Sequence, residues 1–176
     1  GAPFRDRNFR KLLIFMGSWH FAANFAAPFL TVYLLRQLGY SLGTVTTLWV
    51  TSQIANALTL YLWGRLSDRY TNKAVLAVAL PVYFACMLGL VFTPDPQTHD
   101  WTLPLLCGVH VAMGAAAGGI GLATGNIGLK LAPQGQGTAY LTTISLVASV
   151  AGGLAPILAG ARAGGRPAPP ARARPC

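Results

Sequence analysis

The 176-residue chain contains no glutamate, and its acidic residues are four aspartates, Asp6, Asp68, Asp95 and Asp100. Without glutamate there is no His-Glu-x-x-His metalloprotease helix, which needs that residue as its base. Every long apolar stretch is also left without a carboxylate. Charge is scarce overall: charged residues make up 10% of the chain, against about 25% in an ordinary soluble domain. A soluble fold of this size would lack the polar residues to cover its surface. Cysteine is sparse as well. Cys86, Cys107 and Cys176 form no CxxC pair and no Cys/His group with metal spacing, so neither a disulfide framework, a metal site nor a cofactor is expected.

What is abundant is apolar sequence. Hydrophobic residues make up 53% of the chain and fall into five runs, at about 12–35, 45–63, 74–92, 103–127 and 139–158. A helix that crosses a bilayer needs about 20 mostly apolar residues. Backbone polar groups in lipid must be satisfied within the segment, so these runs read as helices. Strand alternation is absent, which argues against a barrel. The first run follows a basic start, but it far exceeds a signal-peptide core of about 7–15 residues. The expectation is an all-α integral membrane protein with about five transmembrane helices within residues 1–160. Residues 161–176, ARAGGRPAPPARARPC, are low in complexity and have no apolar face. They read as a disordered or non-native end, arising from truncation or a shifted reading frame.

The formal net charge is +9. Nucleic-acid binding is not the reading, because the basic residues sit between apolar runs and not on one amphipathic face. They report orientation instead. With the N-terminus in the cytoplasm, that side holds Arg5, Arg7, Arg10, Lys11, Arg65, Arg69, Lys73 and Lys130, while the other side, up to residue 160, holds only Arg36. The bilayer is therefore the first expected partner. Arg162, Arg166, Arg172 and Arg174 would fall on the outer side, against the same rule, which is one reason to read the tail as non-native.

The segment between the second and third runs, GRLSDRYTNK, carries the most specific signal. Gly64 permits a tight turn or a close helix approach. Arg65, Arg69 and Lys73 anchor the segment in the cytoplasm. Asp68, the one acid among them, would pair with arginine or sit at a helix N-terminus. The segment resembles the loop signature of the major facilitator superfamily, Gly-x-Leu-small-Asp-Arg-x-Gly-Arg-Lys. Gly64, Leu66, Ser67, Asp68, Arg69 and Lys73 match it. Thr71 replaces the usual glycine and Asn72 a usual basic residue, an erosion typical of the second copy of the loop. FRDRNFRKLLIF resembles the entry to the seventh helix, the stretch from Ala26 to Arg69 the seventh and eighth helices, and NIGLKLAPQGQGTAYLTTISLVASVAGGLAPILAG the tenth and eleventh.

The resemblance implies twelve helices in two halves, with this chain a partial C-terminal half-bundle and a missing N-terminal half as its partner. It implies a fragment of a secondary active transporter of a small solute, working by alternating access in a bacterial inner membrane. It also implies a conformational gate built from Gly64, Arg65, Asp68, Arg69 and Lys73, in which Asp68 docks near Gly137 and Thr138 at the start of the fifth helix.

Polar residues inside the spans are the candidate cavity lining. His20 and Asn24 share a face of the first helix with Thr31, and Gln53 and Asn56 share one on the second. Asn126 lies in the glycine-rich fourth helix. Their alternative role is interhelical hydrogen bonding, about 0.6–2 kcal/mol each. His110 has no polar companion on its face. Glycines 114, 118, 121 and 125 fall three or four apart, as in close helix packing. Pro28, Pro81 and Pro156 are candidate kinks.

Two other functions match parts of the sequence. Gly39, Ser41 and Gly43 fit the G-x-S-x-G pattern, but that elbow needs a strand before it and a helix after it, so enzyme activity is not expected. A five-helix assembly or accessory subunit would suit the length, but leaves the Asp68 segment without an explanation.

Overall fold

Asp6 starts the first helix: its carboxylate accepts from the backbone N–H groups of Asn8 at 2.7 Å and Phe9 at 3.2 Å, two of the donors a helix start leaves unpaired. The computed structural model describes residues 4, 6–97 and 99–164. Helix α1 spans Arg7–Val32 and finishes in a π-helical turn, Tyr33–Gln37. The chain reverses at Gly39, whose φ of 69° suits a residue without Cβ. Ser41 then caps α2, Leu42–Arg69, by accepting from the Thr44 N–H at 3.1 Å. Thr71 caps α3, Asn72–Val91, in the same way through Ala74. Helix α4 spans Thr102–Leu131 and α5 spans Gly137–Gly164. No strand occurs among the described residues, and the all-helical class read from the sequence holds.

Among the described residues, four helices are long and apolar enough to cross a membrane: α1 with its π turn, α3, α4, and α5 as far as Ala161. Helix α2 has the length, 28 residues, but not the apolarity. Gln53 and Asn56 account for most of the shortfall, and the threonines add to it at little cost. Thr46, Thr47 and Thr51 each donate to the carbonyl four residues back at 2.9 Å, and Thr59 does so at 2.7 Å. These hydroxyls are satisfied inside their own helix, which lowers their cost in lipid. The helix ends outrun the apolar runs. In particular, 161–164 continue α5, although they were read as tail; residues 165–176 lie outside the described residues.

Helix α4 is the axis of the fold: 44% of its apolar window is buried, against 17% for each of the other three spans. It packs mainly on α2 and α3, whereas α1 packs mainly on α5, and contacts between the two groups are few. Glycines bring α2 and α4 together. A Cβ on Gly114 would lie 1.9 Å from the Ser52 carbonyl oxygen, and one on Gly118 3.0 Å from that of Asn56. Gly121 and Gly125 face open space. Of the four spaced glycines, only two therefore serve the contact, and Gly119, against the Trp63 ring, joins them. The Trp63 indole N–H crosses the same seam to the Ala115 carbonyl at 2.7 Å.

Two apolar clusters mark the ends of the bundle. Leu34, Val45, Leu48, Leu90 and Leu106 pack where α1 and α3 end and α2 and α4 begin. At the other end Phe9, Leu12, Met16, Tyr140 and Ile144 join α1 to α5, with the Phe9 and Tyr140 rings 4.3 Å apart. Alternating helix direction puts the same sequence ends together, as expected for a bundle threaded back and forth.

Candidate functional site

A cavity of about 340 Å³ opens on the seam between α1 and the α2–α3–α4 group. Helix α1 supplies Trp19, His20 and Asn24; α2 supplies Trp49 and Gln53; α3 supplies Tyr83 and Met87; α4 supplies Ala117. The one-face spacing of His20 and Asn24 places both on this wall. The Asn24 side-chain N–H donates to the His20 carbonyl at 2.8 Å, which leaves its amide oxygen as an available acceptor. Trp19 meets Tyr83 edge-on at 4.5 Å, tying α1 to α3 across the seam. No lining residue carries a fixed charge. The wall can offer amide and imidazole hydrogen bonds beside aromatic faces.

Gln53 also lines a second hollow of about 560 Å³, with Trp49, Ser52, Met113 and Ala117. The two share Trp49, Gln53, Tyr83 and Ala117, so they adjoin along α2. The aromatic members, Trp19, Trp49 and Tyr83, were not singled out from the sequence. Apolar rings inside apolar runs look like core, and only a cross-helix register could have marked them.

The remaining candidates sit elsewhere. Asn56 is half-buried and turned to Gly118 of α4, away from the cavity. Asn126 is also away from it. Its amide N–H groups reach Asn72 Oδ1 at 3.3 Å and Ser67 Oγ at 3.5 Å, and the Ser67 hydroxyl donates to the same Asn72 oxygen. Ser67 and Asn72 are buried. This three-way clasp ties the end of α2 and the start of α3 to α4. It is built on Asn72, one of the two residues that depart from the loop signature. His110, fully buried, directs Nδ1 to the Leu106 carbonyl at 2.8 Å and packs edge-on against Trp49 at 5.6 Å. Its Nε2 has no hydrogen-bond partner among the described residues.

The signature segment is not a loop but a helix end, a turn and a helix start. Gly64, Arg65, Asp68 and Arg69 belong to the last turns of α2, Tyr70 and Thr71 make the turn, and Lys73 lies in the first turn of α3. Basic residues at a helix C-terminus are favoured by its partial negative charge, so the helix runs on past its apolar part. Asp68 is exposed and has no hydrogen bond or ion pair among the described residues. Ser41 of the G-x-S-x-G match is a helix cap facing Thr44. The described His, Cys and Asp residues form no group that could hold a metal.

No curated protein and no solved structure gives a significant match to the chain. The sequence profile of the Major Facilitator Superfamily matches residues 3–165, which takes in all five helices, the clasp and every lining residue of the cavity. The chain belongs to the major facilitator superfamily.

Proposed function

We propose that this chain forms part of a secondary active transporter that moves a small solute across the membrane by alternating access. The observation that carries the reading is the seam cavity, where His20, Asn24 and Gln53 face one space. Polar groups at such depth are costly in lipid, and a solute path is the usual reason for them. The few contacts between the α1–α5 pair and the α2–α3–α4 group add a line along which the cavity wall could open. In this reading a second half-bundle completes the path, the membrane is a bacterial inner membrane, and the N-terminus is cytoplasmic, as the basic residues favour. Helix α2 then crosses the bilayer with the other four.

The gate belongs to the same proposal. Asp68 is exposed and uncommitted, and the first turn of α5 carries no acidic residue to balance its partial positive charge. Docking of Asp68 near Gly137 and Thr138 would close the cytoplasmic side in one state and release it in the other.

The lining is tested by cysteine substitution in a background lacking the native thiols. Asn24→Cys and Gln53→Cys should react with a membrane-impermeant maleimide, whereas Leu58→Cys, 73% exposed on the outside of α2, should be shielded by lipid. Equal shielding at all three positions would sink the solute-path reading.

A further inference from the structure

The cytoplasmic end of α2 carries a notch of about 530 Å³, lined by Leu62, Arg65, Leu66, Arg69 and Tyr70. Two aromatic rings steady its cations. The Arg65 guanidinium lies 5.8 Å from the Tyr61 ring centre, and that of Arg69 lies 5.6 Å from the Tyr70 ring centre. A guanidinium drawn to a ring by cation–π attraction still has N–H groups that can fork onto phosphate oxygens. No carboxylate competes for them: neither arginine has an ion pair among the described residues, Asp68 included.

The residues below the notch decide what kind of phosphate fits. Val50, Ile54, Leu58, Leu62 and Leu66 recur every fourth residue and are between 42% and 73% exposed. They form an apolar ridge that winds around α2 by roughly 40° per step into the notch; its far end, Val50 and Ile54, also borders the 560 Å³ hollow. From Leu66 to Ile54 the ridge rises roughly 18 Å at 1.5 Å per residue, about the thickness of one leaflet of a hydrocarbon core of roughly 30 Å. Tyr61 and Tyr70, 69% and 62% exposed, sit at the level where aromatic side chains mark the membrane–water interface. A free phosphate would use the arginines and leave the ridge idle.

We propose that this notch is a binding site for an anionic phospholipid. Its phosphate lies between Arg65 and Arg69, and its acyl chain follows the Leu62–Leu58–Ile54 ridge. The inference rests on α2 crossing the bilayer, not on solute transport. The site would couple the lipid composition of the cytoplasmic leaflet to the α2–α3 turn.

The chain in detergent is relipidated with an equal mixture of phosphatidylglycerol and phosphatidylcholine, and retained lipid is counted by native mass spectrometry. The wild type should retain phosphatidylglycerol in several-fold preference, at about five-fold per engaged guanidinium. Arg65→Gln/Arg69→Gln should lose it, and Arg10→Gln/Lys130→Gln, which removes the same charge elsewhere, should keep it. Arg65→Lys/Arg69→Lys preserves charge and folding but not the fork or the stack, and should lose most of it. Equal losses in the two charge-removing pairs would reduce the effect to general surface attraction and overturn the site. So would a wild type with no preference, or inorganic phosphate displacing the bound lipid at millimolar concentration, which would show that the ridge adds nothing.

Discussion

Replacing Gly114 by alanine places a methyl carbon 1.9 Å from the Ser52 carbonyl oxygen, 2.7 Å from its carbonyl carbon and 2.9 Å from its Cα. All three are backbone atoms of the facing helix, so no rotamer change can relieve the overlap. Helices α2 and α4 must separate by more than an ångström, and the separation would also stretch the Trp63 bond to Ala115, now 2.7 Å. Overpacking of a tight interface costs typically about 1–3 kcal/mol. A backbone-to-backbone overlap belongs at the upper end, roughly 3 kcal/mol, less the gain of about 0.8–1 kcal/mol that alanine brings over glycine in a helix. A net loss of roughly 2 kcal/mol corresponds to a fall of about 4–8 °C in Tm for a chain of this size.

Gly121→Ala supplies the contrast within the same helix. Nothing lies within 4 Å of its added Cβ, so only the propensity gain remains and Tm should hold or rise. Thermal unfolding of both variants in one detergent reads the difference directly. Gly114→Ala melting at or above the wild type would refute the α2–α4 packing, and so would Gly121→Ala falling as far as Gly114→Ala.

Three further outcomes follow from the geometry. Asn72 and Asn126 should couple in a double-mutant cycle to leucine by about 0.6–2 kcal/mol, read from unfolding in detergent; independent effects would dissolve the clasp. Trp63→Phe keeps most of the ring but loses the indole donor to Ala115, and should lower stability by about 1 kcal/mol; an unchanged melt would place that hydrogen bond in error. Asp68→Asn should leave stability within about 0.5 kcal/mol, since the carboxylate is exposed and unpaired, while shifting the balance of inward- and outward-facing states of the intact transporter in a fluorescence-distance measurement.

The helices were legible because apolar length in a bilayer leaves the backbone few alternatives. The end of α2 was not, because apolarity stops at Trp63 while the helix continues to Arg69. Arg65 and Arg69 signal a helix C-terminus as well as a loop, and the segment was read only as the second. Facing positions on one helix were readable by period, which is how His20 and Asn24 were paired. Positions on different helices were not. Asn126 meets Asn72 across 54 residues, and no period within either helix carries the register between them. For the same reason Asn56 and Asn126, equally polar and equally embedded, looked like cavity lining until α4 was set against α2.

That difference separates residues that hold the bundle from residues that could serve a solute. Asn56, Asn126, Ser67, Asn72 and Trp63 all point to neighbouring helices within the α2–α3–α4 group, where glycines allow close contact. His20, Asn24 and Gln53 point to the seam between that group and α1, where packing is sparse enough to leave about 340 Å³. A tightly packed group cannot deform without large cost. Any motion that opens the cavity therefore runs along α1, between the Trp19–Tyr83 contact at 4.5 Å and the Asn24–Gly152 approach to α5, where a Cβ would come within 3.2 Å of the Asn24 amide nitrogen. Asn24 faces the cavity on one side of α1 and α5 on the other. Changes at Asn24 should thus alter solute recognition and helix packing together, whereas changes at Gln53, which is exposed to the hollow, should alter recognition alone.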